Sequence, residues 1–217
     1  MIKKKDLPFL KWKKSFKKKF RILKIRKLFE ISRNQHNVAR GYDIEFLLDK
    51  KNKIKRYLIV QGLSVQIVPL IFCTTNKSYY TIMVKQIRIG SEKQIPEFPS
   101  GAMGYNDKNF REAAKREIQE ELKLNISLNK ILKLSSQPVI MQPVNSYLKC
   151  QFFYFKLNMS LKNLNKLNDI KTGIENQNEF CISKVIKLKK VLNMMNDSSL
   201  IGIKLLEKKL NISIKDL

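Results

Sequence analysis

Residues 57–76 carry no Asp, Glu, Lys or Arg, in a chain of 217 residues of which 29% are charged. An uncharged stretch of that length belongs either in a bilayer or in a folded core. Gln61, Gly62, Ser64, Gln66 and Pro69 interrupt it. Several of these are costly in hydrocarbon, so the stretch reads as two strands, at 54–60 and 64–73, of a water-soluble core. Hydrophobic residues make up 43% of the chain, enough to bury that core and to exclude global disorder.

Charge and rare residues narrow the chemistry. The chain has 44 Lys+Arg against 18 Asp+Glu, a net charge of +26. It also holds 36 Lys, 25 Ile and 18 Asn, a joint excess that points to a compositional bias acting on the whole chain. One histidine, His36, excludes zinc centres built on several imidazoles and leaves little scope for histidine acid–base catalysis. Cys73, Cys150 and Cys181 form no CxxC pair, which suits reduced, buried thiols in a reducing intracellular compartment.

Residues 1–33 hold 14 Lys/Arg and only two acids, Asp6 and Glu30. Phe9, Trp12, Phe16, Phe20 and Leu23 recur at spacings of three and four, which predicts a basic amphipathic helical arm with Pro8 near its start. Three roles stand open for it. Its apolar stripe packs on the body, or it is an organelle-targeting presequence (a plastid-type address included), or it contacts RNA or another anionic surface. The compartment is then cytoplasmic or organellar. No segment reads as transmembrane.

Beyond residue 40 the pattern turns to strands. The runs 42–48 and 54–60 predict a hairpin around Asp49–Lys53, and 64–73 with 79–89 predict a second pair. Further strands are expected at 130–134, 147–157 and 179–188, with a polar loop over 158–178. Helices are expected at about 110–123 and at 198–210. The fold class is α+β or mixed α/β. Three segments follow: a basic arm at 1–33, a hairpin at 34–60 and a main domain at 61–217.

The densest chemistry lies at 101–124. Asn109 with Glu112 three residues on resembles a capping box. Glu117, Glu120 and Glu121 then fall at i, i+3 and i+4, on one side of the helix, where like charges repel by a few tenths of a kcal/mol per exposed pair. Four of the 18 acids lie between 112 and 121. A divalent cation with oxygen preference, Mg²⁺ or Mn²⁺, would convert that repulsion into coordination. A solvated acidic face among lysines is the other reading.

Arg116-Glu117-Ile118-Gln119-Glu120-Glu121 resembles the core of the Nudix hydrolase signature, G-x5-E-x7-R-E-U-x-E-E-x-G-U, where U is a bulky aliphatic residue. Lys123 stands where that signature has its second glycine. Asp107 replaces the first glutamate, and the interval from it to Arg116 is one residue longer than the signature's seven. Glu97-Phe98-Pro99-Ser100-Gly101 is similar to the E-L-P-A-G run of ADP-ribose and ADP-sugar diphosphatases, and Val84–Arg88 resembles their E-Q-x-R strand. Asn178-Glu179-Phe180 resembles their late acidic segment. Together these matches cover roughly 40–210.

The resemblance implies an α/β/α sandwich and an Mg²⁺- or Mn²⁺-dependent hydrolase that cleaves a nucleotide sugar such as ADP-ribose or ADP-glucose to AMP and a sugar phosphate. It implies Glu117, Glu120, Glu121 and the Ser100 carbonyl as metal ligands. Glu120, Glu121, Arg116 and Glu179 become the candidate catalytic groups, and Arg88, Glu97 and Gly101 the substrate-binding ones. It further implies a homodimer paired through the hairpin at 34–60. The rival expectation is a Nudix-fold module that binds RNA or an acidic partner without turnover.

Overall fold

The computed structural model describes residues 7–33, 36–104, 106–174, 180–194 and 197–217. In chain order its elements are α1 (Leu7–Lys17), β1 (Arg21–Arg33), β2 (His36–Leu47), β3 (Lys53–Cys73), β4 (Ser78–Arg88), β5 (Lys93–Glu97) and β6 (Ser100–Ala102). There follow α2 (Phe110–Leu122), β7 (Leu132–Lys133), β8 (Val139–Met141), β9 (Ser146–Met159), α3 (Leu161–Asn165), β10 (Lys171–Thr172), β11 (Cys181–Lys187) and α4 (Asp197–Leu210). The fold is mixed α/β, dominated by antiparallel strands. No helix among the described residues is long and apolar enough to cross a membrane.

The chain divides into two units, one of residues 1–64 with 139–150, the other of 65–138 with 151–217. In the first, β1, β2 and the start of β3 form an antiparallel meander, with Arg21 opposite Leu47 and Tyr42 opposite Leu58. The β2–β3 turn closes where the Asp49 carboxylate accepts from the amides of Lys51 and Asn52, both at 2.8 Å. This is the expected hairpin, enlarged by a third strand. Tyr42, Ile44, Leu58 and Val60 make its small core, against which Phe9, Trp12, Ile25, Phe46 and Tyr147 pack. The Phe9 ring stacks on Tyr42 at 4.1 Å and Phe16 meets Phe46 edge-on at 5.0 Å. Aromatic pairs of this kind contribute about 0.5–1.5 kcal/mol each beyond the area they bury.

The helical arm expected over 1–33 is therefore corrected. The helix ends at Lys17, the amides of Lys19 and Phe20 turn back onto the Phe16 carbonyl, and residues 21–33 are strand. Leu23 leaves the aromatic stripe and is 43% exposed on β1.

The second unit is built on β4, which pairs with the end of β3 (Ile71 opposite Tyr80), with β5 (Val84 opposite Glu97) and with β11 (Ser183 opposite Val84). Alternation along β3 sends Val65 and Ile67 to the side of Ala113, Ala114, Ile118 and Leu122 of α2. The intervening Gln66 and Val68 face α4, where a Cβ on Gly202 would meet the Val68 methyl at 3.1 Å. Helices thus cover both faces of this strand.

Three segment expectations change. The uncharged stretch lies in one continuous strand, β3, rather than two. Residues 158–178 are not a plain loop. Ser160 caps α3 by accepting from the Asn163 amide, Leu164 of α3 is fully buried, and Lys171–Thr172 pair with β11. The strand at 130–134 shrinks to Leu132–Lys133. All three cysteines are buried thiols, and burial pushes that of Cys150 up to about 11.

Candidate active site

The site gathers around α2 in the second unit. Asn109 starts the helix by accepting from the amides of Arg111 and Glu112 at 2.9 and 3.1 Å. Glu112 reaches back to the Lys108 amide at 3.0 Å, one residue before the position a strict capping box would use. Lys123 ends the helix at φ 55°, ψ 25°. That left-handed backbone is where a glycine normally terminates a helix, which is the physical meaning of the glycine that Lys123 replaces. Its Nζ donates to the Gly173 carbonyl at 3.3 Å, while the Gly173 amide donates to the Glu120 carbonyl at 3.1 Å.

Glu117 and Glu121 are each only 7% exposed. The repulsion expected of an exposed helix face therefore understates the cost, because buried carboxylates also lose hydration. The loop before α2 supplies part of the compensation. Its position is fixed where the Ile67 amide donates to the Pro99 carbonyl at 2.8 Å and Phe98 is fully buried. From that anchor the Ser100 amide donates to Glu121 Oε2 at 2.8 Å. The Glu117 carboxylate lies over Gly101, where a Cβ would come within 2.0 Å of Oε1. No side chain fits at 101 unless Glu117 moves.

Arg116 ties these groups together. Its Nη1 donates to Glu117 Oε1 and to Glu120 Oε2, both at 2.7 Å. Its Nη2 donates to the Ala102 carbonyl at 2.9 Å and to Asp107 Oδ2 at 3.0 Å. Burial works against the guanidinium charge, but Asp107, Glu117 and Glu120 outweigh it and hold its pKa well above the ordinary value. Asp107 is thus an Arg116 partner despite the extra residue in the interval. The turn that absorbs this residue closes where the Gly104 amide donates to Asp107 Oδ2 at 2.7 Å.

On β4, Arg88 meets Glu97 of β5. Its Nε lies 3.0 Å from both Glu97 oxygens and its Nη2 donates to Oε2 at 2.6 Å. Burial again opposes the charge, while Glu97 and then Glu121 raise the Arg88 pKa. Cys181, read from the sequence as an ordinary buried thiol, has Sγ 3.8 Å from Gln86 Oε1 and 4.0 Å from Glu121 Oε1. No sequence signal marked that contact, since it depends on β11 lying beside β4. The structure brings Arg116, Glu117, Glu120, Glu121, Ser100 and Gly101 together, and Arg88 and Glu97 form a bonded pair. Glu179 lies outside the described residues.

The candidate ligands, the carboxylates of Glu117, Glu120 and Glu121 and the Ser100 carbonyl, are hard oxygens, the set that suits Mg²⁺ or Mn²⁺. Among the described residues, no three His, Cys, Asp or Glu side chains are placed to hold a metal ion as they stand. Arg116 Nη1 sits between two of the three glutamates instead.

No protein-family model matches the sequence, and no curated protein matches it. Chains of solved structures do match. One, described as an ADP compounds hydrolase, superposes with a TM-score of 0.65 over 89% of this chain and 95% of its own, at 16% identity. At that identity the likeness establishes architecture. The two chains share a fold.

Proposed function

We propose that the chain is a divalent-metal-dependent Nudix hydrolase that cleaves the diphosphate of an ADP-sugar, ADP-ribose or ADP-glucose, to AMP and a sugar phosphate. One observation carries the reading: Glu117, Glu120 and Glu121 are held in register by Arg116, Gly101 and the Ser100 amide, at the cost of burying like charges. A purely structural helix has no need of that arrangement. The solved hydrolase with this fold, whose description names ADP compounds, supports the substrate class.

Glu117 and Glu121 would hold the metal, with Glu120 sharing the role and the Ser100 carbonyl beside them. When bound, Mg²⁺ supplies charge neutralisation on the diphosphate and a deprotonated water. Arg116 orients Glu117 and Glu120 by charge-assisted hydrogen bonds. Glu120, less buried than its neighbours, is the carboxylate able to pass a proton to solvent. Arg88 offers its remaining nitrogen, Nη1, which has no partner among the described residues, to a phosphate oxygen. In the reaction, the water oxygen bonds to one phosphorus as the bridging P–O bond breaks. The bridging oxygen leaves on the other phosphate, and the water proton passes to a carboxylate.

A second reading, a Nudix-fold module binding RNA or an acidic partner without turnover, is favoured by Arg116 already occupying the space between Glu117 and Glu120. One experiment separates the two. ADP-ribose, ADP-glucose, GDP-mannose and capped RNA are offered with and without Mg²⁺ to wild type, Glu117→Gln and Glu121→Gln. The hydrolase reading expects metal-dependent turnover that falls by roughly 10²–10⁴-fold in either variant. It also expects a wild-type melting temperature that rises with Mg²⁺ more than the variants' does. A wild type inert to every substrate and thermally blind to the metal would leave the binding module standing.

A further inference from the structure

We propose that the lysine face of α1 and the turn after it form a docking surface for the phosphate backbone of a nucleic-acid strand. The inference is independent of the active-site reading. From residue 7 to residue 29 the chain holds ten Lys/Arg and no acid, whereas residues 30–60 hold seven against four. A uniform compositional bias does not produce that contrast.

The structure adds what the sequence left open. Arg26 and Lys27 are matched internally, to Asp43 and Glu30. Lys11, Lys13, Lys14, Lys17, Lys18 and Lys19 meet no carboxylate among the described residues, and all but Lys13 are exposed. Lys11 and Lys14 lie diametrically opposite the Phe9–Trp12–Phe16 stripe, and Lys18 continues their line at the turn. Because that stripe packs on Tyr42 and Phe46, the cations stand on an anchored helix and not on a loose tail.

The same packing selects the partner. A membrane-surface helix gives its apolar face to the acyl boundary. Here that face is half-buried, its rings stacked on the unit's own sheet, so docking to lipid would have to unstack it. A strand of phosphates asks only for cations, and each one engaged releases condensed counterions.

The test uses the full chain, a fluorescent single-stranded RNA 20-mer of uridine, and vesicles of phosphatidylserine, over a range of salt. Wild type is compared with Lys11→Gln/Lys14→Gln/Lys18→Gln and with a control of equal charge, Lys130→Gln/Lys156→Gln/Lys208→Gln. The expected result is RNA binding that weakens at least ~10-fold in the first variant, with the slope of log affinity on log salt reduced by about 2, since each lost phosphate contact removes about 0.7. The control should keep the wild-type slope and most of the affinity. Equal losses in both variants would mean diffuse attraction to net charge and overturn the proposal. So would wild type that ignores RNA, or vesicle binding tighter than RNA binding at equal negative charge.

Discussion

The two units treat their carboxylates in opposite ways. In the first, cations pair with the acids of the sheet: Asp43 takes Arg26 at 3.1 Å and Lys55 at 3.0 Å, Glu30 takes Lys27 and Arg40, and Glu45 takes Lys53. In the second, one guanidinium, that of Arg116, serves Asp107, Glu117 and Glu120 together. In a chain with 44 cations for 18 acids, the first arrangement is what composition supplies unaided. The second runs against composition. A cluster in which acids outnumber the cation within a basic protein has to be built, and α2 is where this chain builds one.

The largest test of that contrast removes a cation from each side. Arg116→Leu takes the shared cation from three carboxylates, two of them with side chains under a tenth exposed. The expected loss is about 3 kcal/mol in urea unfolding, the lower end for breaking a buried pair, since Arg116 is itself a third exposed. Lys55→Met leaves the buried Asp43 its Arg26 partner and removes a cation that is itself half exposed, so it should cost clearly less. Equal losses would erase the distinction.

A middling effect is expected at the end of α2. Lys123→Gly relieves a left-handed non-glycine residue and gives up one exposed bond to Gly173. The net should be a gain of up to about 1 kcal/mol, a rise of about 2–4 °C in Tm. A loss instead would mean that the Lys123–Gly173 tie outweighs the backbone strain.

The smallest effect is a pH response in the first unit. Lys27, and then Arg40, lower the Glu30 pKa from an ordinary 4.5 to about 2. A depressed carboxylate contributes stability that is present above pH 4.5 and lost as pH falls toward 2. Trp12, the chain's one tryptophan and part of that unit's packing, should report the loss by fluorescence in this window, and Glu30→Gln should flatten it.

The helix at 110–122 was legible because its signals agree: a capping Asn109, an acid in the first turn, and Ala113, Ala114, Ile118 and Leu122 at helical spacing. Residues 21–33 misled for a physical reason. The spacing of Phe9, Trp12, Phe16, Phe20 and Leu23 carries a helical stripe into this segment, yet the segment is a strand with irregularities at Ile22/Lys24, Lys27/Phe29 and Ile31/Ser32. The first two insert a residue into β1, Leu23 and Leu28, which breaks the period of two that marks a strand, and the third inserts its residue into β2. In the site, the grouping of the glutamates was legible from spacing, and Arg116 from the resemblance. The pairing of Asp107 with Arg116 needed the 104–107 turn, and the Cys181–Glu121 contact needed the strand order. Both are products of tertiary structure.

The three buried thiols carry a practical consequence. Alkylating reagents attack the thiolate, and the Cys150 thiol, near pKa 11, is ionised to only about one part in a thousand at pH 8. Covered from solvent as well, each cysteine reacts only when its surroundings open. Cys150 lies in the first unit, and Cys73 and Cys181 in the second. Pulse labelling read out by peptide mass would therefore time the two units separately, with no residue introduced. The protein carries its own clocks.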